Sequence, residues 1–584
     1  MGTIETVTRR EAHGSTHGGV CCNAPFDTAS LRSAGSGRTG VVLAMAVAAA
    51  FACAPRNQAE PGVLLVEEKE QTASFIRNFN PLLEVGDVRW PATRAMYEPL
   101  FIYNWLDGQY VPWLATAYAW SEDHRRLRVT LRAGVRWSDG APFTARDVAF
   151  TFGLLERFDA LDLRGVGAFV EGVTAVDEHT VEITFARVFL PGFYYLAQQP
   201  IVPEHIWQDV PDPVSWANPN PVATGPFTEI TRFETQTYQV DRNPHYWQLP
   251  ERPKVRAIRF LAFPSNDQAN FALVNGEVDW AGSFVPAIDR IFAAEDREHH
   301  HYWFPPIDGG VLLYANTTRA PYGDVRVRKA LSLAIDRALV VEVGMYGYTR
   351  PADATGLNDA HARYRDPAAI AAGDWVAHDP ARAATLLDEA GLARGRDGWR
   401  RLPDGSRWQV SIQVPGGFSD WVRATQVIAR GLRAVGVDAR MKAHDFNAWY
   451  EQVQDGDFAL AIGWAEPYPT PYGYYRAMMS TETVKPVGVA APENWHRFGL
   501  ARADELLRGL EVTADPAEEL RLTAELERLF VASAPAIPLF PGPLWGAYNS
   551  TRFTGFPDAG DPYAPLSPNL APQALLVLTR LEPR

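Results

Sequence analysis

Between Gly463 and Thr481 the chain reads GWAEPYPTPYGYYRAMMST, which gathers Trp464, Tyr468, Tyr472, Tyr474 and Tyr475 around three prolines. Flat rings with polar tips suit a ligand that offers C–H faces and hydroxyl groups. Glu466 is the only carboxylate of the stretch and so its candidate partner for a cation. Such rings also serve as core and proline-packing residues, and that role is expected for about half of them. Trp421 and Trp495 are the further ring candidates. Asn78, Asn80 and Asn494, with Phe79 between the first two, are the candidates for hydrogen bonding to a ligand.

No short catalytic signature accompanies these residues. After Cys53 there is no Gly-x-Ser-x-Gly turn, no phosphate-binding loop and no His-Glu-x-x-His helix. A glycosidase needs only two carboxylates, which distant positions can supply, so a glycoside hydrolase stays as a remote alternative to the expected non-enzyme. His299-His300-His301 raises the question of a metal. Adjacent side chains point in different directions on a strand or a helix, and Ala293 to Glu298 before them is polar, so neither metal nor cofactor is expected.

The 584 residues exceed one ordinary core, and 21% charged with 47% hydrophobic residues suits a folded, soluble protein of two or more lobes. A net charge of −14 without a basic stripe sets nucleic acid aside. The three cysteines, Cys21, Cys22 and Cys53, are all N-terminal, so a chain cut before Cys53 keeps a single thiol and has neither a disulfide framework nor a cysteine metal site. Val41 to Ala52 is an uninterrupted apolar run behind Arg38, ordered like a secretory signal and too short to span a bilayer. Ala50-Phe51-Ala52-Cys53 resembles a lipoprotein cleavage box, although Ala50 and Phe51 depart from its usual residues. The expectation is a leader over residues 1–52 and a lipid on Cys53 that tethers the protein outside the cytoplasmic membrane. Plain secretion and a retained anchor are the alternatives.

The elements that must position the ring-rich stretch are legible from periodicity. Trp408 to Val414, Ala439 to Ala443 and Phe458 to Trp464 read as strands, alternating with helices over Ala381 to Gly391, Trp421 to Val435 and Phe446 to Gln454. That alternation predicts an α/β lobe with a largely parallel sheet. In such sheets ligands lie beyond the carboxyl ends of strands, where the ring-rich stretch begins. Upstream, Val311 to Ala315 alternates as a strand, and Pro321, Gly323 and Asp324 announce a helix. Its Val327, Ala330, Leu331, Ala334 and Ile335 form one core face, which leaves Arg326, Arg328 and Lys329 for the others. Asp336 is placed to cap a second helix. Thr144 with Asp147 opens a helix through Leu155, while Arg89 to Pro91 reads as a loop and Ala92 to Tyr103 as a helix.

The run from Asn316 through Asp324, Arg326, Val327, Arg328, Ala330, Leu331, Ala334, Ile335, Asp336 and Arg337 resembles the signature of the family 5 extracytoplasmic solute-binding proteins that serve ABC importers. Arg132, Gly134, Val135, Trp137, Asp139, Gly140 and Pro142 also sit where its members have them. Tyr97 to Leu100, Thr224 to Phe227, Asp241 to Trp247 and Phe271 to Asp279 are similar to further family segments. The resemblance implies an α/β, two-lobed periplasmic-binding-protein (Venus-flytrap) fold with an extra subdomain and a hinge between lobes. It assigns 60–98, 216–315 and 536–584 to lobe I, 99–215 to the extra subdomain and 316–535 to lobe II, with the chain crossing near Asn316 and Ala534-Pro535. It also implies permease subunits as partners, and a monomer is expected.

Peptide-binding members follow a similar Gly-Trp closely with an aspartate that pairs with the ligand's α-amino group. Here Ala465-Glu466-Pro467 follow Gly463-Trp464 instead. A buried ammonium needs a fixed counter-charge, whereas a neutral sugar needs flat rings and hydrogen-bond partners. Arg77 to Pro81, Trp90-Pro91 to Asn104 and Pro469 to Met479 resemble members that bind cello-oligosaccharides and related β-glucosides. A short oligosaccharide is therefore the expected ligand, and an oligopeptide or dipeptide held through Glu466 is the alternative.

Overall fold

The computed structural model describes residues 60–68, 74–83 and 88–584. The apolar run, the three cysteines and the expected lipid site at Cys53 lie outside them.

The ring-rich stretch leaves a five-stranded sheet, ordered Asp438–His444, Gln409–Pro415, Leu460–Trp464, Asp308–Ala315 and Ile537–Gly542. The first three strands are parallel and are joined through the helices Ser419–Ala434 and Phe446–Asp455. Asp308–Ala315 is antiparallel to both its neighbours, so the sheet is mixed rather than largely parallel. The cause is topological: Asp308 pairs with Gly542, so the chain enters and leaves this sheet at one point.

Helix Val325–Leu333 buries the expected apolar face, and the carboxylate of Asp324 accepts from the backbone N–H of Arg326 at 2.8 Å. Asp336 caps helix Arg337–Met345 through the N–H of Leu339 at 3.0 Å. Arg328 departs from its expected place on an outer face. It is buried, and its guanidinium donates to the carbonyls of Ser533 and Ala534, 2.7 Å each, at the end of helix Pro516–Ser533. A cation is favoured at a helix C-terminus, and a partner two hundred residues away leaves no trace in local periodicity.

A seven-stranded sheet is ordered His300–Tyr302, Ala547–Asn549, Trp280–Ala281, Val63–Glu67, Ala257–Leu261, Thr237–Arg242 and Phe227–Phe233. Beside it stands a four-stranded antiparallel sheet, Ala115–Trp120, Arg126–Leu131, Thr180–Phe185 and Val170–Asp177. Helix Ala145–Arg157, opened by the expected Thr144 and Asp147 capping box, packs on it. The helix expected through Tyr103 is confined to a short turn over Ala92–Met96. Pro99 ends it, and Phe101–Asn104 forms a hairpin with Gln109–Pro112 around Asp107-Gly108.

The chain passes between the two larger sheets at residues 303–307 and returns at 543–546. Both expected crossings therefore shift. Asn316 is fully buried at the end of a strand of the five-stranded sheet, and its amide donates to Gly456 O at 2.8 Å. Ala534 is the left-handed C-cap of helix Pro516–Ser533, with strand Ile537–Gly542 still to follow in the same sheet. The strands flanking the expected boundaries belong together because their apolar residues face each other, Leu313 opposite Ile537. Phe304 and Trp545, one near each crossing, meet edge to face at 4.9 Å.

Candidate functional site

The three parallel strands end on one side of the sheet, so their exits place Pro415, His444 and Trp464 along a single edge. Rings gather where those strands stop. Phe446 and Tyr450, on the helix after the edge strand Asp438–His444, lie with Trp464 in planes within 15° of one another and centroids 5.8–6.3 Å apart. All three are half-buried, so flat faces remain open. Trp495 supports Trp464 edge to face at 5.3 Å, and Trp421 stands 6.1 Å from it. Gly463 allows this approach, because a Cβ there would meet the Trp495 ring at 2.8 Å.

Beyond Trp464 the chain forms the floor of a second feature. Glu466 is exposed, and its Oε1 accepts from the Trp464 indole N–H at 2.6 Å. The ring of Tyr468 lies against Gly473, where a Cβ would come within 2.2 Å of it. Two buried histidines hold this backbone. His361 Nε2–H donates to Tyr468 O at 2.7 Å, and His496 Nε2–H to Met478 O at 2.9 Å. Burial pulls their pKa values down to about 4 and about 3, so both imidazoles are neutral at pH 7.

A cavity of about 280 Å³ opens between Tyr468-Pro469 and helix Gly192–Ala197, with Tyr110, Tyr194, Tyr195 and Tyr472 among its walls. The hydroxyls of Tyr110, Tyr194, Tyr195 and Tyr468 have no hydrogen-bond partner among the described residues. Burial raises all four phenols, that of Tyr195 to about 12, so they stay protonated and able to donate. Glu511 closes the rear: it accepts from Tyr472 Oη at 2.8 Å, pairs with Arg187, and its carbonyl accepts from Leu190 N–H at 2.8 Å.

Trp421, Trp464, Glu466, Tyr468 and Trp495 thus meet along one edge, and Tyr472 joins them as a wall already hydrogen-bonded. The other expected contacts are elsewhere. Tyr475 is fully buried against Phe530, 5.7 Å away, and its hydroxyl donates to Thr355 O. Phe79 is fully buried between Phe233 and Tyr238. Asn80 donates to Pro213 O and Trp216 O and accepts from Leu82 N–H, while Asn78 Oδ1 accepts from Asn80 N–H. Asn494, buried at φ +55°, donates to Thr483 and Phe498 O and accepts from Phe498 N–H. Short amides beside loops satisfy the backbone first, which commits these groups to the fold.

Periodicity puts Phe446 and Tyr450 on a helix without marking them for the site, where their signal is aromatic spacing of four just after a strand, and it gives no sign of the Tyr194-Tyr195 pair, which sits in another part of the chain. The three adjacent histidines serve three partners: His299 Nδ1 faces Asp296, His300 Nδ1 donates to Phe292 O, and His301 Nε2 donates to Glu298 O.

Mixed sheets linked by two adjacent crossings, with rings along the exits of parallel strands, define a binding-protein fold. The model of the bacterial extracellular solute-binding proteins, family 5, matches residues 109–485, and the chain belongs to that family. A nickel-binding periplasmic protein of Escherichia coli (strain K12) is 26% identical over 410 residues, 66% of this chain and 73% of that protein. A periplasmic oligopeptide-binding protein of the same organism is 23% identical over 523 residues, 82% of this chain and 88% of that one. The crystal structure of a mannohexaose-bound periplasmic oligopeptide-binding protein from Thermotoga maritima shares the fold, with a TM-score of 0.82 at 24% identity, covering 90% of this chain and 99% of that one.

Proposed function

We propose that this protein is an extracytoplasmic lipoprotein, anchored through Cys53 and monomeric, that closes on a short oligosaccharide and delivers it to the permease subunits of an ABC importer. β-Linked glucose units are the candidate ligand. The observation that carries this reading is the lining: four unpartnered phenol hydroxyls in a cavity reached along flat, half-open rings. Pyranose rings offer C–H faces to such rings and hydroxyls to such donors. The mannohexaose held by the Thermotoga protein of like fold supports it. Closure would turn residues 308–542 against 60–302 and 547–584 about the crossings at 303–307 and 543–546, because only those segments can rotate while both sheets stay paired.

An oligopeptide is the second reading, supported by the name of the Escherichia coli relative. It requires Glu466 to receive the ligand's ammonium, yet this carboxylate is exposed and already accepts the Trp464 indole. Titrating tryptophan fluorescence with cello-oligosaccharides and with mixed peptides, in the parent and in Glu466→Gln, separates the two. Saturable sugar binding that persists in Glu466→Gln is expected. Peptide binding abolished by the substitution, with no response to any sugar, would overturn the sugar reading.

A further inference from the structure

Three kinds of contact place Trp464, and each removes a different freedom. Strand pairing with Val311 and the Tyr314 hydroxyl, which donates to Trp464 O at 2.9 Å, pin its backbone. Neighbouring rings set the plane of the indole: Trp449, fully buried, lies 5.2 Å away, and Trp495 meets it edge to face. Rings alone leave one choice open. The torsion that turns an indole about its Cβ–Cγ bond has two broad wells, which keep nearly the same plane and swing the six-membered ring to opposite sides. Apolar neighbours scarcely tell these wells apart, whereas a single acceptor does, because the N–H lies on one edge only.

That acceptor is Glu466, whose Oε1 takes the indole N–H at 2.6 Å. Trp449 and Trp495, in the same cluster, leave buried N–H groups without a partner among the described residues, so such a bond is not common to the rings packed here. The chain holds the carboxylate where it is needed. Ala465 is buried and its N–H donates to Gly310 O at 2.8 Å, Gly309 leaves to the Ala465 carbonyl the space that a Cβ would fill, and Pro467 disfavours helical backbone at Glu466. In an exposed position this hydrogen bond adds little to the stability of the fold. What it fixes is a ring whose plane lies 5° from that of Phe446 and 15° from that of Tyr450, so that the three present parallel faces.

We propose that Glu466 is a positioning residue: it holds no part of the ligand, and its carboxylate selects the one orientation of Trp464 that lines this ring up with Phe446 and Tyr450 for stacking on a sugar. This rests on the sugar reading above. Calorimetric titration with cellotriose tests it in the parent, Glu466→Ala, Glu466→Gln, Trp464→Phe, which keeps a ring but no N–H, and Trp464→Phe with Glu466→Ala. In the parent background Glu466→Ala should weaken binding about tenfold, the worth of one hydrogen bond to a charged group. Glu466→Gln, whose amide oxygen still accepts the indole N–H, should stay within about threefold of the parent. In Trp464→Phe the further change Glu466→Ala should alter affinity by less than about twofold, because the donor is already gone. Equal losses in the two backgrounds, or no loss in the parent, would overturn the proposal. A second measurement needs no ligand. In protein labelled with 5-fluorotryptophan, the fluorine resonance missing from Trp464→Phe should broaden or split in Glu466→Ala, as both wells fill, and return to one line in Glu466→Gln. A line as sharp in Glu466→Ala as in the parent would also overturn it. Should the parent bind no sugar, the sugar reading falls, and the fluorine spectrum alone judges the positioning role.

Discussion

Arg77 to Pro81 and Gly463 to Thr481 are both short, aromatic and rich in hydrogen-bonding side chains, and they end in opposite conditions. In the first, the Arg77 guanidinium donates to Pro219 O and Asn220, Phe79 is core, and Asn80 braces residues 213–216. Its polar groups are spent on folding. In the second, Trp464 and Tyr468 are half-buried and Tyr468 keeps a free hydroxyl. An asparagine carries two donors and two acceptor pairs on a short stem, within reach of its own backbone. A phenol carries its hydroxyl six atoms away, beyond that reach, so a tyrosine at a rim is more readily left for a ligand.

The largest effect that can sharpen this contrast is acidification. Amides hold Arg77 to Pro81 and do not titrate, whereas His361 and His496 hold the backbone of the ring-rich stretch. The folded pKa values are depressed, to about 4 and about 3, below the ordinary value of 6.5. Stability from these groups is therefore complete above pH 6.5, where neither state binds the proton. It is lost as pH falls from 6.5 towards 4, because the unfolded chain is protonated first. The loss is on the order of 3 kcal/mol for each histidine. The fall in unfolding free energy between pH 7 and pH 4, read from denaturant curves, should be smaller in His361→Gln than in the parent by about 3 kcal/mol. Equal pH slopes in the two would remove the histidines from the account.

Next in size is a pair of truncations. Asn80→Ala strands Pro213 O, Trp216 O and Leu82 N–H in a buried site, a cost of about 3 kcal/mol in stability. Protein that remains folded should keep the parent's affinity. Trp464→Ala is expected to divide the other way, weakening ligand binding about thirtyfold, some 2 kcal/mol, with a smaller loss of stability. Titrations and urea curves on both variants decide it, and a ligand defect in folded Asn80→Ala would break the contrast.

Sequence pattern made much of this architecture legible, for a physical reason. Helix faces and caps are local, so the Val327 to Ile335 face, the Asp324 and Asp336 caps and the Thr144 capping box were all readable. The parallel strands were readable too, and with them the edge that carries Trp464. What stayed hidden depends on contacts across long stretches of chain. Arg328 capping a helix that ends at Ser533, Asp308 pairing with Gly542, and Tyr194 meeting Tyr468 across a cavity have no local signature. The hinge positions shifted for the same cause, since strand Ile537–Gly542 looks in sequence like a return to the first sheet and pairs instead with Asp308–Ala315. Within the site, residue type was informative and residue reach decided the outcome, which is why the rings at the edge gathered and the three asparagines did not.

The smallest effects give the finest test, because they lie within one helix and its approach. Tyr468 and Tyr475 belong to the same ring-rich stretch, but Tyr475 donates its hydroxyl to Thr355 O at 3.2 Å in the core, while Tyr468 turns its own into the cavity. Removing one oxygen from each should therefore move different observables. Tyr475→Phe strands a carbonyl and should cost about 1 kcal/mol of stability with affinity unchanged. Tyr468→Phe leaves no protein partner stranded, so its stability should stay within about 0.5 kcal/mol of the parent while affinity falls about fivefold, the worth of one hydrogen bond. Thermal melts and ligand titrations on the two variants read both quantities. A ligand defect in Tyr475→Phe with an unshifted melt would place the core face of the helix in contact with ligand and erase the distinction between spent and open hydroxyls. A destabilised Tyr468→Phe would show instead that this hydroxyl is already used by the fold, and the cavity would lose the donor nearest Trp464 in the chain.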